Sequence, residues 1–106
     1  MPRLGDNYID QLAGEIASLC KLPDNDDYNR LARIYAVLCL TKGAEVTSED
    51  VHDAWSAWCA ENKPDHRSLV PFAQLTREVK VLDEPYRNAI RDIAIGWPKR
   101  YLETNQ

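Results

Sequence analysis

Apolar residues recur at intervals of three and four along most of this chain, and prolines and polar clusters break the pattern into segments. Ile9, Leu12, Ile16 and Leu19 fall on one stripe of a first helix, the spacing that turns one helical face toward a core. Asp6 stands at its cap position and Pro23 ends it. Asp24, Asp26 and Asp27 place acids at the start of a second helix, where they complement the helix dipole. Leu31, Ile34, Tyr35 and Leu38 form its inward face, and Lys42 with Gly43 close it.

The third helix carries the strongest local signal. Thr47 and Asp50 fit a capping box, in which each side chain satisfies a backbone N–H of the other, and Val46 and Val51 flank it as a hydrophobic staple. Val51, Ala54, Trp55 and Trp58 continue the helical period until Asn62, Lys63 and Pro64 stop it. Residues 64 to 72 contain two prolines and no period, which predicts an ordered connection whose apolar tail docks on the core. A very short extended pair around Leu69 and Val70 fits there, because a residue before proline prefers the β region. Thr76 caps a short turn, and Asp83 with Pro85 opens a last helix that turns Tyr86, Ala89, Ile90 and Ile93 inward. Gly96, Trp97 and Pro98 read as its stop.

The resulting fold class is mainly α, a compact bundle of about four helices with one proline-containing connection. A chain of 106 residues closes one core and not two, so residues 1–106 are read as a single domain. Within it, residues 1–45 form a helical hairpin and 46–98 a second segment. The longest apolar run, Ile34 to Leu40, is far shorter than the roughly 20 residues a membrane span requires. The N-terminus lacks an apolar leader, so a cytoplasmic location is expected.

Charge narrows the partners. The formal charge is −4, and no helix is studded with arginine, so duplex DNA is not an expected partner. The imbalance is uneven: residues 1–53 hold 5 basic and 10 acidic side chains, and residues 54–106 hold 8 and 7. The second half can therefore present a local cationic face to a small anion. Cys20, Cys39 and Cys59 are an odd number at wide spacings and read as buried small hydrophobes.

Candidate chemistry is sparse. No serine lies between glycines, and the four glycines stand too far apart for a phosphate-cradling loop. His52 and Cys59 lie about two helical turns apart, roughly 10 Å, and cannot share an ion, so recruiting His66 or Asp65 does not complete a metal site. No nucleophile, base and orienter assemble, and neither catalysis nor a cofactor is expected. What stands out is residues 52 to 72, which hold both histidines, two of the three tryptophans, an arginine and a phenylalanine. His52 and Trp55 project from one helical face, and the connection bearing His66 and Arg67 must return near it. Aromatic rings beside polar groups make walls for a planar ligand. The same spacing also fits Trp55 and Trp58 as core, and His66 as a loop brace.

The order of Val51-His52-Asp53-Ala54-Trp55, then His66-Arg67-Ser68-Leu69-Val70-Pro71-Phe72, then Leu75, and Asp83 to Tyr86 resembles the RyR domain, the repeat of ryanodine receptors. Phe72 stands where that family usually has tyrosine, Gln74 where it commonly has an acid, and the loop before His66 is shorter. Over most of its length the chain also resembles a family of small proteins from actinobacteria and their phages, through Tyr35 to Leu38, Thr41 to Gly43, Val51 to Trp58 and Pro64 to Phe72. The RyR resemblance implies binding of adenine-type nucleotides, with Trp55 stacking on a base, His52, His66 and Arg67 contacting polar or phosphate groups, and Phe72 completing the wall. The second resemblance implies no activity of its own; the alternative reading is a phage or actinobacterial module that engages a host protein through a helical face, in the host cytoplasm if phage-encoded.

Overall fold

The computed structural model describes residue 5 and residues 7–104, with side chains as far as residue 97. The chain is a mainly α bundle of four long helices and one single-turn helix. These are α1 (Tyr8–Cys20), α2 (Asp26–Lys42), α3 (Ser48–Asn62), α4 (Arg77–Lys80) and α5 (Glu84–Thr104). Short 3₁₀ turns occupy Gly43–Glu45, Phe72–Gln74 and Val81–Asp83. No strand occurs among the described residues, so the extended pair expected at Leu69 and Val70 does not form. That connection is closed instead by tight turns, His66 N–H to the Lys63 carbonyl and Leu69 N–H to the His66 carbonyl, each at 3.0 Å.

Helix starts follow local chemistry. The Asp6 cap lies outside the described residues, and the observed cap is Asn7, whose side-chain oxygen accepts from the Asp10 N–H at 2.8 Å. Asn25 does the same for Tyr28 at the head of α2. The capping box of α3 is complete, with Asp50 N–H donating to Thr47 Oγ1 at 3.1 Å and Thr47 N–H to Asp50 Oδ2 at 2.9 Å. Thr76 caps α4 through the Val79 N–H.

Helix ends are set differently. Before Pro23 is reached, α1 ends because Lys21 adopts the left-handed conformation, φ 57° and ψ 42°, and sends its N–H and that of Leu22 back to Ser18 and Ala17. Gly43, at φ 59° and ψ −134°, turns the chain from α2 toward α3. A Cβ at Gly43 would meet nothing within 4 Å, so it is the backbone angle and not space that calls for glycine. The stop expected at Gly96, Trp97 and Pro98 is overturned, since α5 continues through it to Thr104. Proline has no N–H for the preceding turn, a local weakness. It is outweighed by Trp97, which is 7% exposed in the core, with Tyr8 6.3 Å away ring to ring.

The core draws on all four long helices: Leu12 and Ile16 from α1, Leu31 and Tyr35 from α2, Val51 and Cys59 from α3, Ile90 and Ile93 from α5. Leu19, expected on the inward stripe, is exposed, while Ala17 and Cys20 of the same turn pack against the core. Two arginines of α5 fasten the α2–α3 corner: Arg91 Nε donates to the Val46 carbonyl at 2.8 Å, and Arg87 Nη1 to Ser48 Oγ at 3.2 Å. At the N-terminal corner Asp10 is buried yet fully engaged, accepting from Arg33 Nε at 2.7 Å, Gly5 N–H at 2.7 Å and Asn7 Nδ2 at 3.2 Å. Among the described residues no helix is long and apolar enough to cross a membrane.

Candidate functional site

The sequence between α3 and α5 folds as a wall facing α2, and the two sides leave a cleft of about 290 Å³. From α2 come Tyr28 and Tyr35, seven residues apart and therefore on one face after two turns. From α3 come His52, Trp55 and Trp58. The connection contributes His66 and Ser68, and the junction of α4 with α5 contributes Val79, Leu82, Asp83 and Tyr86.

Trp55 is flanked by both histidines. The His52 ring stacks at 5.6 Å and 26°, and His66 meets the indole edge-on at 5.1 Å and 83°. His52 is 3% exposed, and its Nε2 lies 2.7 Å from the Val70 carbonyl. A carbonyl only accepts, so Nε2 carries a proton and donates it there. The bond ties the connection to α3. His66 is exposed, and its Nδ1 accepts the Ser68 N–H at 3.0 Å. That acceptance places the proton of the neutral ring on Nε2, so His66 offers the cleft a donor and not a base.

Below this rim the floor is closed by Trp58, whose Nε1 donates to the Asp27 carbonyl at 2.7 Å and whose ring lies 5.2 Å from Tyr28. Tyr35 and Tyr86 face each other at 5.8 Å. Burial pushes both phenols above their ordinary value, with the Asp83 charge adding to the effect. Burial likewise holds the Asp83 carboxyl above its usual range, against a downward pull from the imidazole of His52. Among the described residues Asp83 makes no ion pair, and no lysine or arginine lines the cleft.

Of the five residues singled out from the sequence, His52, Trp55 and His66 come together on the cleft, while Arg67 and Phe72 are not among its lining. Arg67 is exposed between the wall residues His66 and Ser68. Phe72 packs behind His52, centroids 6.0 Å apart, and beneath the Lys80 ammonium at 5.3 Å. Sequence reasoning missed the three tyrosines and Asp83. Their only trace was spacing, Tyr28 with Tyr35 at seven and Asp83 with Tyr86 at three.

No group of three metal-ligating side chains occurs among the described residues. All three cysteines are free thiols. Burial raises Cys20 to about 11 and raises Cys59 as well, keeping both protonated at neutral pH.

Neither a curated protein nor a solved structure matches the chain. A family model described as a domain of unknown function, DUF7701, matches residues 7–95 and so takes in α1 to α4 and α5 as far as Ile95. The chain belongs to the DUF7701 family.

Proposed function

We propose that this protein is a small non-catalytic binding module whose cleft takes a planar ligand of about nucleobase or nucleoside size, alone or as part of a nucleotide. The observation that carries this reading is the cleft itself, an open space of about 290 Å³ walled by Trp55, Tyr28, Tyr35 and Tyr86. Small-molecule sites combine mostly apolar, aromatic walls with a few placed polar groups, and this volume lies at the small end of their range. His66 and Ser68 supply polar groups at the rim. Arg67, exposed and between them in sequence, is the cation assigned to a phosphate on such a ligand. His52 positions the wall and contributes its ring, since its Nε2–H is spent on Val70.

Calorimetry with nucleosides, mononucleotides and cyclic nucleotides tests the proposal. Binding of at least one is expected, weakened about tenfold by Trp55→Ala through loss of a stacking surface. Absence of heat across the panel at millimolar ligand defeats it.

A second reading rests on a separate observation. Leu19 is 55% and Leu82 65% exposed, and both border a shallow hollow with Pro85 and Ala89 between α1 and α5. Exposed apolar side chains gathered at a hollow favour a protein partner, such as a host factor for a phage protein. Capture of one defined host protein that Leu19→Asp releases supports this reading. Equal capture by both forms counts against it.

A further inference from the structure

Resting on the cleft reading above, we infer that the cleft is built for a flat organic cation, an amidinium or protonated amino-heterocycle, with Asp83 as the residue that selects it. The argument starts from charge. Asp83 brings the one carboxylate to a lining made mostly of aromatic rings and aliphatic side chains, with His52, His66 and Ser68 as its other polar members, and no lysine or arginine lines the cleft among the described residues. A partly desolvated carboxylate is stabilised chiefly by an opposite charge or by donors, and the protein supplies no ion-pair partner there among the described residues. The imidazole of His52 lies near enough to draw the Asp83 carboxyl down. Its Nε2–H, however, points at Val70.

The remaining walls favour the same ligand. The faces of Trp55, Tyr28, Tyr35 and Tyr86 carry negative quadrupole potential, which attracts a cation and gains strength as water is excluded. A planar amidinium presents two parallel N–H groups to a carboxylate, the arrangement that makes such pairs short and directional. An anion entering the cleft would meet the Asp83 charge without a compensating cation among its lining. Asp10 shows the alternative within the same chain, for there Arg33 already occupies the place a ligand cation would take.

The probe pair is benzamidinium and its neutral near-isostere benzamide, titrated into the intact protein by calorimetry and followed by Trp fluorescence. Benzamidinium should bind at least about tenfold more tightly, as expected for a charge-assisted pair against a neutral contact. Asp83→Asn should reduce that preference to about twofold or less, the larger loss falling on benzamidinium. Trp55→Ala should weaken both probes together. Equal binding of the two probes, or a preference that survives Asp83→Asn, overturns the inference but leaves the cleft reading standing. Binding of neither removes the inference, and if the nucleoside panel is also silent, the cleft reading fails with it. Circular dichroism of Asp83→Asn, with helicity unchanged, ties the result to the carboxylate.

Discussion

Two carboxylates in this protein sit in opposite situations. Asp10, at the N-terminal corner, is 4% exposed and accepts from Arg33, from Asn7 and from the Gly5 backbone. Its proton affinity falls, chiefly through the Arg33 hydrogen bond. Asp83, on the cleft, is less deeply placed, yet its proton affinity rises because burial acts without an ion-pair partner. The contrast separates a charge that completes a fold from a charge that the fold tolerates. A buried ion whose partners are all in place contributes to stability only while they remain. An unpaired one destabilises slightly and is available to something else.

The largest expected break in this comparison comes from Arg33→Met, which strands the Asp10 carboxylate. Urea denaturation at pH 7 should show a loss of about 3 kcal/mol, and a loss under about 1 kcal/mol would remove the distinction between the two corners. Next is the tie between α3 and the cleft wall. His52→Leu leaves the Val70 carbonyl without its donor and should cost about 2 kcal/mol, with amide exchange quickening across residues 66–70 more than in α1. Trp58→Phe keeps the ring in the floor but removes the donor to Asp27, an expected loss of about 1 kcal/mol by thermal or urea unfolding.

Acid titration sharpens the comparison by sign. The folded-state value of Asp10 lies below its ordinary 3.8, so its contribution is complete above that value and disappears as the pH falls through the lower folded one. Asp10→Asn should therefore flatten the acid limb of the stability curve. Asp83 runs the other way: raised above 3.8, it favours the fold when protonated and loses that contribution as the pH rises through the raised value. The smallest effect follows, with Asp83→Asn raising stability at pH 7 by about 0.5 kcal/mol or less and leaving it unchanged near pH 3. A loss of stability at pH 7 would show that Asp83 has a structural role.

What could be seen in the sequence was whatever depends on neighbours within one turn. The capping box at Thr47 and Asp50, the Thr76 cap and the end of α3 at Asn62 are local hydrogen-bond problems with local answers. Helix ends that depend on distant packing were not visible. Gly96-Trp97-Pro98 carries every local sign of a stop, and the burial of Trp97 against residues far along the chain overrides it. The end of α1 depends on a lysine in a left-handed conformation, a residue type without that preference.

The cleft divides along the same line. His52, Trp55 and His66 were recognisable because they cluster in sequence, and the structure places them side by side. The opposite wall, Tyr28 and Tyr35 with Asp83 and Tyr86, exists only once α2 and the start of α5 have been packed around α3. Phe72 misled because its nearness to His66 in sequence does not bring it to the cleft; its ring meets His52 instead and stays off the lining.

Gly43 gives this arrangement a fixed corner at a distance. The two faces of the cleft are carried by α2 and α3, and the angle at which one leaves the other is set where the backbone turns through a positive φ and is then held by Arg91 on Val46. The two helices are thus anchored at a corner outside the cleft's lining as well as by the Trp58 bond to Asp27 within it. A substitution at that bend therefore bears on both helices while every residue of the walls stays the same.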